Sequence, residues 1–180
     1  IQLNWIKNYQ NLGKYDLIIL PGSKQTIKDI TFLRETGLIK NIQNYSKNNG
    51  NILGICGGLQ MLGEYLEDPY SKEGLGIKTS QKGLFKGIGL LPLKTIFKET
   101  KITRRIKCDS TWPNVCSIEG FEIHNGITEI IKRERKEKLK TMFKQNKLGW
   151  YIDNNERGSI AGIYVHGIFD NDLWRLNYLN

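Results

Sequence analysis

Two residues of this chain have the type and setting to run nucleophilic chemistry together, Cys56 and His166. Cys56 lies in N-I-L-G-I-C-G-G-L-Q-M-L-G, residues 51–63. There a short apolar run (Ile52, Leu53, Ile55) gives way to Leu59, Leu62 and Leu66 at helical spacing, so the reading is strand, tight turn, helix. Gly54, Gly57 and Gly58 leave room for the backbone to fold back sharply at the cysteine. A helix N-terminus there would lower the thiol pKa, and its free N–H groups could hold a developing oxyanion. A buried cysteine filling a packed turn would have similar neighbours, so the second residue matters. His166 ends a predicted strand, Ile160 to Val165, and is followed by Gly167. A lone histidine is more often structural, but a nucleophile and a base that both end strands make the pair acyl transfer needs.

The elements that must position this pair are legible in outline. Asp16 to Leu20 (D-L-I-I-L) is a buried type of strand that stops at Pro21-Gly22-Ser23. In parallel sheets the ligand-contacting loops lie at the carboxyl ends of strands, which is where this loop falls, although Pro-Gly marks an ordinary turn equally well. Helices are predicted over 24–33, with Ile27 and Ile30 on one face, and over 38–48, with Leu38, Ile42 and Tyr45 on one face. Gly50 then halts the chain before the cysteine strand. Strand, helices, strand, helix is the order of an α/β fold with a parallel sheet and covering helices. Residues 1–12 read as a further helix, with Leu3 and Ile6 on one face. Asp68-Pro69-Tyr70 reads as a turn, 74–89 as a glycine-rich polar segment, and 87–95 and 117–124 as strands. Between them, 98–115 reads as a basic surface loop with at most one strand.

Composition narrows the class. The 180 residues suit one domain with a sizeable core, and the chain starts at Ile1 rather than Met, as an excised piece of a longer polypeptide would. No apolar run approaches the ~20 residues that span a bilayer, and no signal-peptide pattern is present, so no membrane role is expected. The net charge of +9 raises a nucleic-acid reading. The lysines are scattered, however, and the dense run Lys132–Lys140 mixes signs like a solvated face, so no nucleic-acid partner is expected. Cys56, Cys108 and Cys116 leave one thiol over in any disulfide scheme, which favours a reducing, cytoplasmic setting. With only His124 and His166 besides, no metal site is expected. Ile77-Lys78-Thr79 lacks the glycine of a Walker A loop, so nothing here cradles a nucleotide.

Taken together, L-P-G-S-K-Q-T-I-K-D, G-I-C-G-G-L-Q-M-L-G, G-I-G-L-L-P-L-K-T, G-F-E-I-H-N-G and Y-V-H-G-I-F-D resemble one family. It is the class I glutamine amidotransferase domain at the C-terminal end of cobyric acid synthases, matched in order and spacing over about residues 16–179. The cysteine block marks the broad superfamily, while L-P-G-S-K with G-F-E-I-H-N-G is much narrower. The resemblance implies a three-layer, doubly wound, mostly parallel α/β sheet of flavodoxin-like type, with an additional antiparallel region in the second half. It implies one glutaminase domain over 1–180, Cys56 as thiolate nucleophile and His166 as base. Oxyanion or substrate contacts fall to Gly22, Ser23, Gly57 and Gln60. The substrate is glutamine, and no cofactor is expected in this domain. The resemblance also implies ATP, Mg²⁺ and a corrinoid acceptor at an N-terminal synthetase domain of the same polypeptide. There the b, d, e and g carboxylates of adenosylcobyrinic acid a,c-diamide would be amidated.

One departure bears on mechanism. Class I glutaminases commonly carry a glutamate two residues after the histidine, and Ile168 stands there. This subgroup lacks that glutamate, and Asp170, Glu122 and His124 are the nearby residues that could orient the imidazole instead. Leu59 stands where tyrosine is common and Ile163 where threonine is common, both read as packing variations. The competing readings are a glutaminase domain of a related ligase (cobyrinic acid a,c-diamide synthase or the muramyl ligase partner), a non-catalytic docking module, and a peptidase- or chaperone-like relative sharing the elbow. Retention of both Cys56 and His166 argues against a silent module, and the later blocks argue against the peptidase.

Overall fold

A computed structural model of the chain describes residues 1–73, 83–131, 139–144, 147–153 and 158–179. The first half runs β1 (Leu17–Leu20), α1 (Thr26–Glu35), α2 (Leu38–Lys47), β2 (Asn51–Ile55), α3 (Gly57–Leu62) and β3 (Tyr65–Glu67). The second half runs β4 (Leu84–Lys86), β5 (Leu93–Ser110), β6 (Cys116–Ile130), β7 (Lys140–Thr141), β8 (Gly149–Asp153), β9 (Ser159–Ile163), β10 (Val165–His166), a short 3₁₀ turn (Ile168–Asp170) and α4 (Asp172–Leu179).

Two sheets result. The first has the order β1-β2-β9-β8-β7, and the second β10-β6-β5-β3-β4. β1, β2 and β9 pair in parallel, while β8 and β7 add antiparallel strands. The α/β class and the antiparallel region of the second half match the sequence reading, but parallel pairing is narrower than expected. In the first sheet it stops at β9, and in the second it joins only β3 to β5. The parallel strands are near-continuous apolar runs because helices cover them. Ile27, Ile30, Ile52, Leu53, Leu59 and Leu62 have no exposed surface, and burying each such side chain contributes about 1.5–3 kcal/mol.

The helices over α1 and α2 fall where their apolar spacing put them. Residues 1–12 do not form the expected helix. Leu3 and Trp5 are 71% and 78% exposed while Ile6 and Leu12 pack on the core, so the apolar residues share no single buried face, and a short helix without packing is marginal. It is tethered instead by Asn41, whose Nδ2 donates to the Gln10 carbonyl at 2.7 Å.

Three further boundaries differ. The elbow helix ends at Leu62 because Gly63 approaches the Leu93 carbonyl so closely that a Cβ there would lie 2.8 Å from it; Leu66 is buried in β3. The apolar run 87–92 is a loop that buries Ile88, Leu91 and Pro92, its N–H groups at Gly87, Ile88, Gly89 and Leu90 bonded to carbonyls of residues 61–64. The basic stretch 98–115 is mostly strand, because β5 continues to Ser110 against β6. Its inward positions Ile106 and Cys108 are buried while Arg105 and Lys107 stay in water, so the charges mask the alternation. The Asp68-Pro69-Tyr70 turn is present. The Walker-like residues 77–79 and most of the Lys132–Lys140 run lie outside the described residues.

Candidate active site

Cys56 occupies the turn between β2 and α3 with φ 52° and ψ −108°. A side-chain-bearing residue held in this left-handed region carries strain on the order of 1–3 kcal/mol, which surrounding bonds must over-determine. Two of them do so here. The Cys56 N–H donates to the Ile163 carbonyl at 2.7 Å, and its own carbonyl accepts from Gln60 N–H at 3.1 Å. The turn is possible because strand and helix nearly touch. A Cβ on Gly54 would lie 2.6 Å from the Gly58 backbone, and one on Gly58 would run into the Leu20 carbonyl. Leu59 and Ile163 are fully buried, as packing residues should be, with Leu59 lying against Gly162.

His166 reaches the site by a change of sheet. The sequence reading has one strand from 160 to 165. The structure instead ends β9 at Ile163 in the first sheet and starts β10 at Val165 in the second, with Tyr164 as the crossing residue. The Tyr164 N–H donates to the Leu148 carbonyl at 2.7 Å, which fixes the crossing. His166 pairs with Phe121 on β6. The site thus lies where the two sheets meet, with Cys56 from one and His166 and Ile123 from the other.

Both reactive groups point at one acceptor. Cys56 Sγ lies 3.2 Å and His166 Nε2 3.1 Å from the Ile123 carbonyl oxygen. A carbonyl only accepts, so the thiol and Nε2 both carry their protons in this arrangement, and Nδ1 holds the ring's lone pair. Gly22 sits against both residues: a Cβ there would lie 3.6 Å from His166 Cε1 and 3.7 Å from Cys56 Cβ. Burial pushes the Cys56 thiol above its ordinary range, against the lowering effects of the Gly57 N–H and Lys101, while Glu73 raises it further. The expectation of a depressed thiol pKa is therefore reversed. Desolvation at this closed turn outweighs the one N–H that a six-residue helix aims at the sulfur.

The P-G-S loop packs on the first turn of α3, and a Cβ on Gly57 would lie 2.8 Å from Ser23 Cβ and 2.9 Å from Ser23 N. Among the described residues the N–H groups of Gly22 and Ser23 have no protein acceptor. They are donors free to meet an oxyanion beside Cys56. Ser23 Oγ caps the loop by accepting from Gln25 N–H at 2.9 Å.

Gln60 lies behind the nucleophile, 3% exposed. Its Nε2 donates to the Asn125 carbonyl at 3.0 Å and to Tyr164 Oη at 3.2 Å, and its Oε1 accepts from Thr26 Oγ1 at 3.2 Å. A substrate contact at Gln60 requires exchange of one of these bonds. As placed, it braces the elbow against β6 and the sheet crossing. Tyr164 Oη continues the chain to Thr128 Oγ1 at 2.5 Å, and burial pushes its pKa up to about 12.

None of the three residues expected to orient His166 bonds to its ring. Asp170 is exposed and folds over Gly167, with Oδ2 3.1 Å from where a Gly167 Cβ would sit. Glu122 and His124 flank Ile123 and face the core side of β6, whereas His166 pairs with Phe121 on the other face. Glu122 accepts from Arg104 Nε at 2.6 Å and from His124 Nε2 at 3.0 Å, and the His124 ring stacks on Tyr164 at 3.7 Å. They hold the strand that presents the Ile123 carbonyl, and that carbonyl is the group the ring meets. No reading of side-chain types could have found a backbone acceptor. Lys101, Glu73 and Asn125 carry no such signal either: Lys101 lies in the basic stretch 98–115, and Glu73 lies between the Asp68-Pro69-Tyr70 turn and the polar segment 74–89.

Among the described residues no group of three or more His, Cys, Asp or Glu is placed to hold a metal, and no helix is long and apolar enough to cross a membrane. All three cysteines are free and buried.

The fold recurs in solved proteins. A structure described as a glutamine amidotransferase superposes with TM-score 0.65 at 11% identity, covering 99% of this chain and 84% of that one. The PurLQS structure from Thermotoga maritima gives 0.64 at 14% identity, over 98% and 86%. Parallel strands ending in a cysteine elbow with a strand-borne histidine beside it, together with a family-model match over residues 1–174, make this a glutamine amidotransferase domain. Within that class the chain belongs to the CobB/CobQ-like glutamine amidotransferase domain family, whose model matches residues 1–174. It is 58% identical over its full length to a cobyric acid synthase of Prochlorococcus marinus strain MIT 9301, and 45% identical to that of strain NATL2A. In both cases the chain spans 35% of the relative's length.

Proposed function

We propose that this domain hydrolyses glutamine through a Cys56 thioester and supplies the ammonia to an ATP-dependent synthetase domain of the same polypeptide. The observation that carries the reading is the convergence of Cys56 and His166 on one carbonyl beside Gly22, in a loop whose Gly22 and Ser23 N–H groups have no acceptor among the described residues. Because the thiol pKa is raised, the thiolate is made at the moment of attack. His166 takes the proton on its free nitrogen as Sγ bonds to the γ-carboxamide carbon. The carbonyl oxygen becomes an oxyanion held by the N–H groups of Gly57 and the Gly22-Ser23 loop. The C–N bond then breaks, His166 returns the proton, and ammonia leaves. His166 next draws a proton from water, which attacks the thioester carbon and releases glutamate and the thiol.

The acceptor is read from the relatives: similarity to cobyric acid synthases supports amidation of the b, d, e and g carboxylates of adenosylcobyrinic acid a,c-diamide, with ATP and Mg²⁺ used by the synthetase domain. The test supplies the natural full-length polypeptide with ATP, Mg²⁺, that corrinoid and amide-¹⁵N glutamine. Four ¹⁵N-labelled amides on the corrinoid are expected. Labelled ammonia with an unmodified corrinoid would uphold the glutaminase and refute the acceptor.

A further inference from the structure

Beside the nucleophile runs a chain of bonded groups with an opposite charge at either end. Glu73 Oε2 accepts from Thr26 N–H at 2.9 Å, and Thr26 Oγ1 donates to Gln60. Gln60 in turn donates to the Asn125 carbonyl, and Asn125 lies directly opposite Lys101 in the β5–β6 ladder. The chain of bonds passes close to the elbow, because a Cβ on Gly57 would lie 3.2 Å from Thr26 Oγ1. Among the described residues three of its groups are unused: Asn125 Oδ1 is buried without a hydrogen-bond partner, Glu73 engages one carboxylate oxygen, and the exposed Lys101 ammonium has no ion pair. Both charges are felt at Cys56, Lys101 lowering its thiol pKa and Glu73 raising it.

Buried acceptors left open cost stability unless a ligand fills them, and a carboxylate–ammonium contact is among the stronger hydrogen bonds. We propose that Lys101 binds the α-carboxylate of the substrate and that Glu73 with Asn125 Oδ1 binds its α-ammonium, so that the site reads the zwitterionic end of a free amino acid. This rests on glutamine being the substrate. It makes Lys101 and Glu73 the residues that separate free glutamine from peptide-bound glutamine and other primary amides.

Ammonia release by the natural full-length polypeptide tests it with three amides: glutamine, 4-carbamoylbutyrate (no α-ammonium) and 4-aminobutyramide (no α-carboxylate). Each analogue is measured as a substrate, or as a competitive inhibitor where turnover falls below detection. Lys101→Met should weaken glutamine and 4-carbamoylbutyrate by about 10²-fold and 4-aminobutyramide by less than about threefold, chiefly through KM. Glu73→Gln should give the crossed pattern, weakening glutamine and 4-aminobutyramide while sparing 4-carbamoylbutyrate. Lys101→Arg, which keeps the charge, should stay within about tenfold of wild type on glutamine. Equal losses on all three amides, or none, would overturn the assignment. No ammonia from glutamine with the unaltered protein would instead refute the glutaminase reading beneath it.

Discussion

The Cys56 thiol and the His166 Nε2–H donate to the same oxygen, the Ile123 carbonyl, at 3.2 and 3.1 Å. In that arrangement the nucleophile keeps its proton, and the nitrogen nearest the shared acceptor has no lone pair to take it. Attack requires the ring or the thiol to leave the carbonyl and engage the other. A shift of ~1.4 kcal/mol in favour of the engaged pair gives about a tenfold rate change. The full-length polypeptide should therefore release glutamate slowly from glutamine alone, and at least about tenfold faster with ATP and the corrinoid present. Glutamate release measured under both conditions decides this, and equal fast rates would mean the pair is already engaged.

Asp170 should matter little. Its carboxylate is exposed and makes no bond to the His166 ring. Exposed substitutions of this kind are worth within about 0.5 kcal/mol, so Asp170→Asn should keep kcat/KM for glutamine within about threefold. A hundredfold loss in steady-state assays would make Asp170 the orienting group after all.

Gly22→Ala separates activity from stability. The added Cβ would meet His166 Cε1 at 3.6 Å and Cys56 Cβ at 3.7 Å, ordinary contacts that strain nothing. It would, however, wall off the space between base and nucleophile, where the carboxamide must lie. An unchanged melting temperature with kcat/KM reduced by about 10²-fold is expected, since small misplacements at a reacting centre cost that much. Unaltered activity would place the reacting carbon elsewhere.

Thiol chemistry should follow the raised pKa. A group pushed above its ordinary value carries little thiolate near neutral pH and gains more as pH rises. Alkylation of Cys56 by iodoacetamide should thus be slow at pH 7 and still accelerating at pH 9. Cys108, pushed up to about 11 and the most buried of the three, should lag behind. A plateau below pH 8, followed by mass spectrometry of the labelled peptides, would reveal a thiolate–imidazolium pair instead.

The elbow was legible in the sequence because it depends on local facts: a short apolar strand, three glycines and a cysteine. The positions of α1 and α2 were legible for the same reason, through apolar spacing that survives in Ile27, Ile30, Leu38, Ile42 and Tyr45. What was not legible depends on partners far along the chain. The 98–110 strand exists because β6 supplies its hydrogen bonds, and its lysines and arginines hide the inward alternation. The sheet change at Tyr164 leaves no mark in composition, because Ile163, Tyr164 and Val165 are all buried in either reading. The Ile123 carbonyl is a backbone group whose side chain says nothing of its use. Glu122 and His124 flank Ile123 in the sequence, but strand alternation puts them on the opposite face from the ring.

The most direct measurement is made on Cys56→Ala in the natural full-length polypeptide, assayed for corrinoid amidation with glutamine or with ammonium as nitrogen source. The substitution removes only the sulfur from a buried turn whose geometry is fixed by backbone bonds to Ile163 and Gln60. Amidation from glutamine should vanish together with glutamate release, while amidation from ammonium persists at the wild-type level. Glutamate release from glutamine by Cys56→Ala would contradict the account.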